Sequence, residues 1–262
     1  MKKILAILAS VILLTACEKE INIDLNNADP KIVIEGAVSN AAGPYYVRVS
    51  KTVNFSAGNE VSPITGAIVS ISDNLGNTET LIEASPGLYA TNSTTGVPGR
   101  TYNLSVSAEG EVYIASSTMP LQVALDSLIF LPFLGPGGVN VYVTIPMFTD
   151  PQDFGNNYRF ILTVNNVTDD SYIIANDNST NGAANRRPIF SPYALIESAD
   201  SVQVEMRCLD RASYDYFYTL SQIAGNGPGG GTTPSNPPNN ISGNALGIFS
   251  AYTTQTKKQQ VP

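Results

Sequence analysis

Alternation of apolar and polar residues is the feature that most restricts what this chain can fold into. In residues 102–107, apolar side chains stand at Tyr102, Leu104 and Val106 with polar residues between them. A period of two indicates a half-buried β-strand, because successive side chains point to opposite faces of a sheet. Comparable short segments recur along the chain with turn residues between them, so we expect an all-β fold. The expected strands are 31–39, 45–52, 67–73, 78–83, 87–91, 102–107, 112–118, 127–131, 139–146, 158–167, 202–208 and 245–253.

One segment is expected to be helical. In residues 211–224, Tyr214, Phe217 and Ser221 recur at spacings of three and four, which predicts an aromatic stripe lying on a sheet. Gly225 follows, as glycine commonly does at the end of a helix. The Gly/Pro-rich residues 225–240 are interpreted as a loop rather than a binding motif, because they contain no PxxP repeat.

The pattern of strands and turns divides the chain near Met119 and Pro120. Short, regularly spaced strands in residues 31–119 predict an immunoglobulin-like or prealbumin-like β-sandwich. Residues 120–262 are expected to form a second antiparallel β domain that carries the helix.

Residues 1–16 are interpreted as a lipoprotein signal peptide. Lys2 and Lys3 precede an apolar run over residues 4–14, which as a helix would cover about 16 Å of a hydrocarbon core about 30 Å thick. Leu14-Thr15-Ala16-Cys17 resembles the lipobox of bacterial lipoprotein signal peptidase, which implies lipid on Cys17 and an acylated linker over 17–30. The alternative is an ordinary secretory signal that ends in a chance cysteine.

The three residues after Cys17 bear on the destination of the protein. Glu18-Lys19-Glu20 resembles the Lys-plus-acidic signal that sends lipoproteins of Bacteroidetes-type bacteria to the outer face of the outer membrane. This resemblance implies a lipid-anchored outer-membrane protein that faces the cell exterior, with the membrane as a partner. A solvated, charged linker is the alternative.

Composition excludes several functions. The sequence contains no histidine, which removes His-based acid/base catalysis and imidazole metal sites. Without Lys2 and Lys3, 12 basic residues face 22 acidic ones, a formal charge of −10, so nucleic acid is not an expected partner. Cys208 is the only thiol outside the lipobox, and its place in an alternating strand predicts a buried, inert side chain. We therefore expect a non-enzymatic protein without cofactor or metal.

Two acidic motifs are candidate exceptions to the expectation of no metal and no catalysis. Residues 177–182 begin like a calcium loop, but Pro188 stands where the bidentate glutamate is required, which leaves only a looser site at Asp169, Asp170 or Asp177. Asp150 and Asp153 could pair for glycoside hydrolysis, although a turn is the favoured interpretation. No catalytic or metal residue is predicted.

The adjacent aromatic residues Tyr45 and Tyr46 allow two interpretations. They could stack on a sugar ring, but aromatic residues are ordinary strand formers, so a place in the core is favoured for both.

Two family resemblances follow from longer patterns. Residues 66–71, Gly87-Leu88-Tyr89-Ala90 and residues 98–104 resemble the carboxypeptidase-regulatory-like β-sandwich modules, which bind and present rather than catalyse.

Asn157-Tyr158-Arg159, together with Asp150, and residues 236–252 resemble a large family of Bacteroidetes outer-membrane lipoproteins catalogued as a domain of unknown function. That family implies a non-catalytic accessory of a TonB-dependent receptor in nutrient uptake. The alternatives are a structural or adhesive surface module and, less favoured, a hydrolase that uses carboxylates alone. The ligand and its binding residues stay unknown.

Overall fold

A computed structural model describes residues 29–53, 61–135, 138–191, 195–224 and 236–262. The predicted signal peptide, Cys17, the predicted export signal at residues 18–20 and most of the predicted 225–240 loop lie outside the described residues. Within them the chain forms sixteen strands and one helix, so the prediction of an all-β fold is confirmed.

The strands follow the predicted alternation closely. In β8 every second side chain is buried, from Tyr102 to Ala108. The strands are β1 (Ile32–Ser39), β2 (Tyr46–Lys51), β3 (Ser62–Pro63), β4 (Ile68–Asp73), β5 (Thr78–Thr80), β6 (Ile82–Ser85), β7 (Leu88–Ala90), β8 (Thr101–Ala108), β9 (Glu111–Thr118), β10 (Ser127–Leu134), β11 (Asn140–Met147), β12 (Asn157–Val164), β13 (Val167–Thr168), β14 (Ile173–Asn176), β15 (Ser201–Leu209) and β16 (Leu246–Gln260).

The helix, α1, spans Arg211–Ala224, as the aromatic spacing predicts. Among the described residues, no helix is long and apolar enough to cross a membrane.

The first half of the molecule is a β-sandwich. A four-stranded sheet in the order β5-β4-β8-β9 packs against the part of a larger sheet that contains β1, β2 and β7. Their inward side chains, including Val38, Val47, Val69 and Leu104, form one buried cluster. The alternating segments predict such a core, because their apolar side chains all face one side of a strand.

The second half has its own core. Strands β13, β12, β15 and β16 continue the larger sheet, β14 pairs with β12, and β10 and β11 form a separate hairpin. Phe148, Tyr158, Leu162 and Met206 belong to the buried cluster of this half.

Strand β16 joins the two halves. Residues 246–252 pair in parallel with β1, and residues 253–260 pair antiparallel with β15. One ten-stranded sheet therefore runs through both halves. On the first pass of the chain, Met119 belongs to the first buried cluster and Val123 to the second. However, Ile241, Ala245, Phe249 and Ala251 return to the first core, although the sequence division places them in the second domain.

Gly247 makes the pairing of β16 with β1 possible. Its φ is +104°, and a Cβ there would lie 2.0 Å from the carbonyl oxygen of Ile34. Only a residue without a side chain fits such a close approach between two strands.

Candidate functional site

Helix α1 lies over the outer face of the large sheet, where it contacts β12, β14 and β16. The start of the helix is fixed by Asp210, whose Oδ1 accepts a hydrogen bond from the backbone N–H of Ser213 at 2.9 Å. Such a cap satisfies one of the free N–H groups of the first turn. Its Oδ2 accepts from the Ser117 hydroxyl at 2.6 Å, so the same carboxylate ties the helix to β9 of the sandwich.

A second contact anchors the helix on the shared strand. The buried hydroxyls of Ser213 and Ser250 lie 2.8 Å apart. The beginning of α1 is therefore held by both the sandwich and β16.

Between α1 and the sheet lies a cavity of about 290 Å³, which we call the aromatic cleft. Its lining comes from β1, β2, β15, β16, α1 and the segment before β14. The lining residues are Glu35, Gly36, Ala37, Tyr46, Tyr172, Arg207, Leu209, Tyr216, Phe217, Leu220, Ile248, Ser250 and Tyr252.

The tyrosine hydroxyls of the aromatic cleft have no hydrogen-bond partner in the part of the chain that the structure describes. Those of Tyr46, Tyr172, Tyr216 and Tyr252 make no hydrogen bond with any described residue. Burial raises the pKa of Tyr216 to about 12 and also raises that of Tyr252, so both hydroxyls remain protonated at neutral pH. The cleft thus presents several groups that can donate and accept hydrogen bonds.

Six of the eight described tyrosines outside the cleft differ in this respect, Tyr142 and Tyr218 being the exceptions. The hydroxyl of Tyr89, for example, accepts from the N–H of Ala67 at 2.9 Å and donates to the carbonyl of Ile64 at 3.0 Å. The other tyrosines whose hydroxyls are hydrogen-bonded are Tyr45, Tyr102, Tyr113, Tyr158 and Tyr214.

Two arginines stand side by side at the base of the site. Arg159 on β12 and Arg207 on β15 are direct cross-strand partners. Like charges in this position are normally destabilising. Glu205 offsets one of them, since its carboxylate accepts from Arg207 Nε at 2.6 Å and from Nη2 at 3.2 Å. Burial raises the pKa of Glu205, but its hydrogen bonds and the charge of Arg207 outweigh burial, so the pKa lies below its usual value.

Arg159 has no such carboxylate partner among the described residues. Its guanidinium carbon lies 4.2 Å from the ring centroid of Phe217 and 5.2 Å from that of Tyr172, and its Nε is buried without a hydrogen-bond partner. Burial lowers the pKa of Arg159, and the charge of Arg207 lowers it further. One positive charge beneath the cleft is therefore balanced mainly by aromatic rings.

A larger cavity of about 450 Å³ lies beside the sandwich, but its charged groups are already engaged. Asp73 and Arg100 form an ion pair at 2.8 Å. Glu79 accepts backbone N–H groups of Ser93 at 3.0 Å and Thr94 at 2.7 Å. Burial raises the pKa of Glu79, but these bonds and the Thr94 hydroxyl lower it to about 2. These carboxylates hold loops together.

Tyr45 and Tyr46 separate although they are neighbours. Tyr45 is 7% exposed and belongs to the sandwich core, whereas Tyr46 is 47% exposed and lines the aromatic cleft. The core interpretation is confirmed for Tyr45 and wrong for Tyr46, because adjacent strand residues face opposite sides of the sheet.

The acidic residues considered as metal or catalytic candidates lie in loops. Asp150 is buried and accepts hydrogen bonds from the Tyr158 hydroxyl and the N–H of Gly182, whereas Asp153 is exposed. Asp177 accepts from the N–H of Gly155 at 2.7 Å. Within the described ranges, no group of three or more Cys, Asp or Glu side chains is placed to hold a metal ion.

Cys208 is buried, as its strand position predicts, and burial raises the pKa of its thiol. A thiol of this kind stays protonated and unreactive at neutral pH.

Sequence reasoning missed the aromatic cleft. Its side chains come from positions as distant as Glu35 and Tyr252, and no motif joins them. The one available signal was Arg159, a charged residue inside an otherwise apolar strand pattern.

These observations define an all-β protein with two cores, a shared strand and a helix-covered cleft. Residues 18–258 match a family model described as a domain of unknown function (DUF4249), and the chain belongs to that family. The expected relationship to a domain of unknown function is thereby confirmed. A search of curated proteins found no match.

Proposed function

We propose that the protein is a non-catalytic binding component of a TonB-dependent nutrient-uptake system, anchored in the outer membrane by lipid on Cys17 and facing the cell exterior. The observation that supports this proposal is the aromatic cleft. It combines ring surfaces with hydroxyls that no described residue engages, the arrangement of a site that orients a small ligand.

The lining of the cleft favours binding over catalysis. Among the described residues that line it, Glu35 is the only one with a carboxylate, whereas glycoside hydrolysis by carboxylates requires two. The neighbouring Glu205 is engaged with Arg207 and with the Thr254 hydroxyl, which donates at 2.8 Å.

The proposed location follows from the sequence. Each buried methylene group contributes about 0.8 kcal/mol to membrane binding, so several acyl chains on Cys17 would anchor the protein durably. The 17–30 linker spans at most about 50 Å when fully extended, which would keep the body close to a receptor in the same membrane.

The experiment is purification of the protein from outer membranes in mild detergent, combined with nutrient uptake by a deletion strain. We expect a TonB-dependent receptor to copurify in stoichiometric amounts and uptake of its nutrient to fall. A protein that stays free of any receptor, in a strain whose uptake is unchanged, would contradict the proposal.

A structural or adhesive surface module is the second candidate. Ile129, Leu131 and Phe133 form an exposed row on one face of the β10–β11 hairpin, at 42%, 46% and 43% exposure. Apolar rows of this kind favour protein contacts. Under this alternative, deletion of the gene would reduce attachment of cells to surfaces and leave nutrient uptake intact.

A further inference from the structure

We infer that the aromatic cleft binds a sugar acid, a hydroxylated ring that carries one carboxylate, with the carboxylate on Arg207 and the ring among the tyrosines. This inference rests on the proposed binding function and names its ligand class.

The charge of the site favours an anion. Arg159 and Arg207 lie side by side, and among the described residues the only ion pair that either forms is that of Arg207 with Glu205. Glu35 lines the cleft as well, but it lies at the exposed edge of the site and makes no ion pair in the described structure. A ligand carboxylate next to Arg207 would bring the buried charges to balance.

Arg207 has donors left for such a carboxylate. A guanidinium carries five N–H groups, and Glu205 uses only Nε and one hydrogen of Nη2. The edge formed by Nη1 and Nη2 makes no hydrogen bond with the described residues. This edge has the fork geometry that binds a carboxylate with two parallel hydrogen bonds. The Tyr252 ring, 4.5 Å from the guanidinium carbon, holds the fork in place.

The rest of the lining suits a hydroxylated ring. Tyr46, Tyr172, Tyr216 and Tyr252 offer hydroxyls that can exchange hydrogen bonds with ring hydroxyls, and Phe217 and Leu220 add apolar surface. A volume of about 290 Å³ is at the small end of ligand sites, so one ring fits and a polymer does not. The ring can be a free monosaccharide or the terminal unit of an acidic glycan.

The test is calorimetric titration of the full mature lipoprotein in detergent. The probes are D-galacturonate and D-glucuronate, with D-galactose and D-glucose as neutral controls and benzoate as an acid without hydroxyls. We expect saturable binding of a sugar acid at least about tenfold tighter than its neutral counterpart, the size of a hydrogen-bonded charge. Digalacturonate that binds more tightly than the monosaccharide would identify a glycan end as the source; equal or weaker binding would identify the free sugar acid.

Variants locate the ligand in the cleft. Arg207→Lys keeps the charge but removes the fork, and it should weaken sugar-acid binding about tenfold or more. Tyr216→Phe and Tyr252→Phe keep the rings and should each weaken binding about two- to tenfold. Tyr218→Phe is the matched control, because Tyr218 lies on the same helix, is exposed and is not part of the lining.

Equal affinity for acid and neutral sugar, or cleft variants that bind like Tyr218→Phe, would overturn the inference. If receptor copurification and uptake persist in that case, the ligand class is wrong and the proposed function stands. If sugar acids bind but no receptor copurifies and uptake is unchanged, the proposed function fails and the ligand assignment stands.

Discussion

The sandwich core and the aromatic cleft use tyrosine in opposite ways. In the core, Tyr89 and Tyr102 are buried and their hydroxyls bond to nearby backbone groups. In the cleft, the hydroxyls of Tyr46 and Tyr216 make no hydrogen bond with any described residue. The comparison teaches that hydrogen-bond satisfaction, more than residue type, separates a side chain that supports the fold from one available to a ligand.

Truncation of a core tyrosine is expected to give the largest difference between the two regions. Tyr89→Ala should lower the free energy of unfolding by about 3–5 kcal/mol, because it leaves a cavity and two unpaired backbone groups. Tyr46→Ala, at a half-exposed position, should cost less than about 1 kcal/mol. Urea unfolding of both variants is the measurement, and similar losses would remove the distinction between core and cleft.

The cap of α1 connects the two regions and should have an intermediate effect. Asp210→Ala removes the bond to Ser213 and the tie to Ser117, and we expect a loss of about 1–2 kcal/mol. Asp215→Ala, which removes only an exposed ion pair with Arg211, is the control. Thermal unfolding of the two variants measures the effect; equal melting temperatures would show that the cap adds nothing beyond a surface charge.

Removal of a single hydroxyl sharpens the comparison further. Tyr89→Phe should lose about 1 kcal/mol of unfolding free energy, since the N–H of Ala67 loses its acceptor. Tyr216→Phe should leave stability within about 0.5 kcal/mol of the unchanged protein. Urea midpoints measure both, and a clear loss for Tyr216→Phe would mean that its hydroxyl supports the fold.

The two regions should also differ in how their stability responds to pH. The pKa of Glu79 is lowered to about 2, so its stabilisation is present above its ordinary pKa near 4.5 and is lost as pH falls toward 2. The pKa of Tyr216 is raised to about 12, so its contribution is present below pH 10 and is lost as pH rises toward 12. The measurement is the free energy of unfolding as a function of pH. Compared with the unchanged protein, this profile should be flatter on the acid side for Glu79→Gln and flatter on the alkaline side for Tyr216→Phe. Profiles that do not change would contradict the assignment.

The predictable part of the structure is the part that local pattern controls. Alternation located the long strands, and aromatic spacing located α1 at its observed bounds. Residues 254–260 were missed because this end of β16 is polar and shows no alternation. The expected strand 158–167 ends at Val164 because Asn165 and Asn166 turn the chain with positive φ.

Features that depend on distant partners could not be predicted. The parallel pairing of β1 with β16 joins residues from the two ends of the described chain. The cleft arises only when that pairing and α1 bring β2, β15 and Tyr172 together. Tyr46 shows most clearly what local pattern cannot predict, since the residues around it do not indicate which face of β2 meets a helix.

The place of β1 between two neighbours determines how the protein would resist force. β1 follows directly on the linker to the proposed lipid anchor and is hydrogen-bonded to β2 on one edge and to β16 on the other. Tension transmitted through the proposed membrane tether would pull along the strand axis and shear both ladders at once instead of unzipping them one bond at a time. The body of the protein would thus withstand drag from flow at the cell surface through a strand that is hydrogen-bonded on both edges.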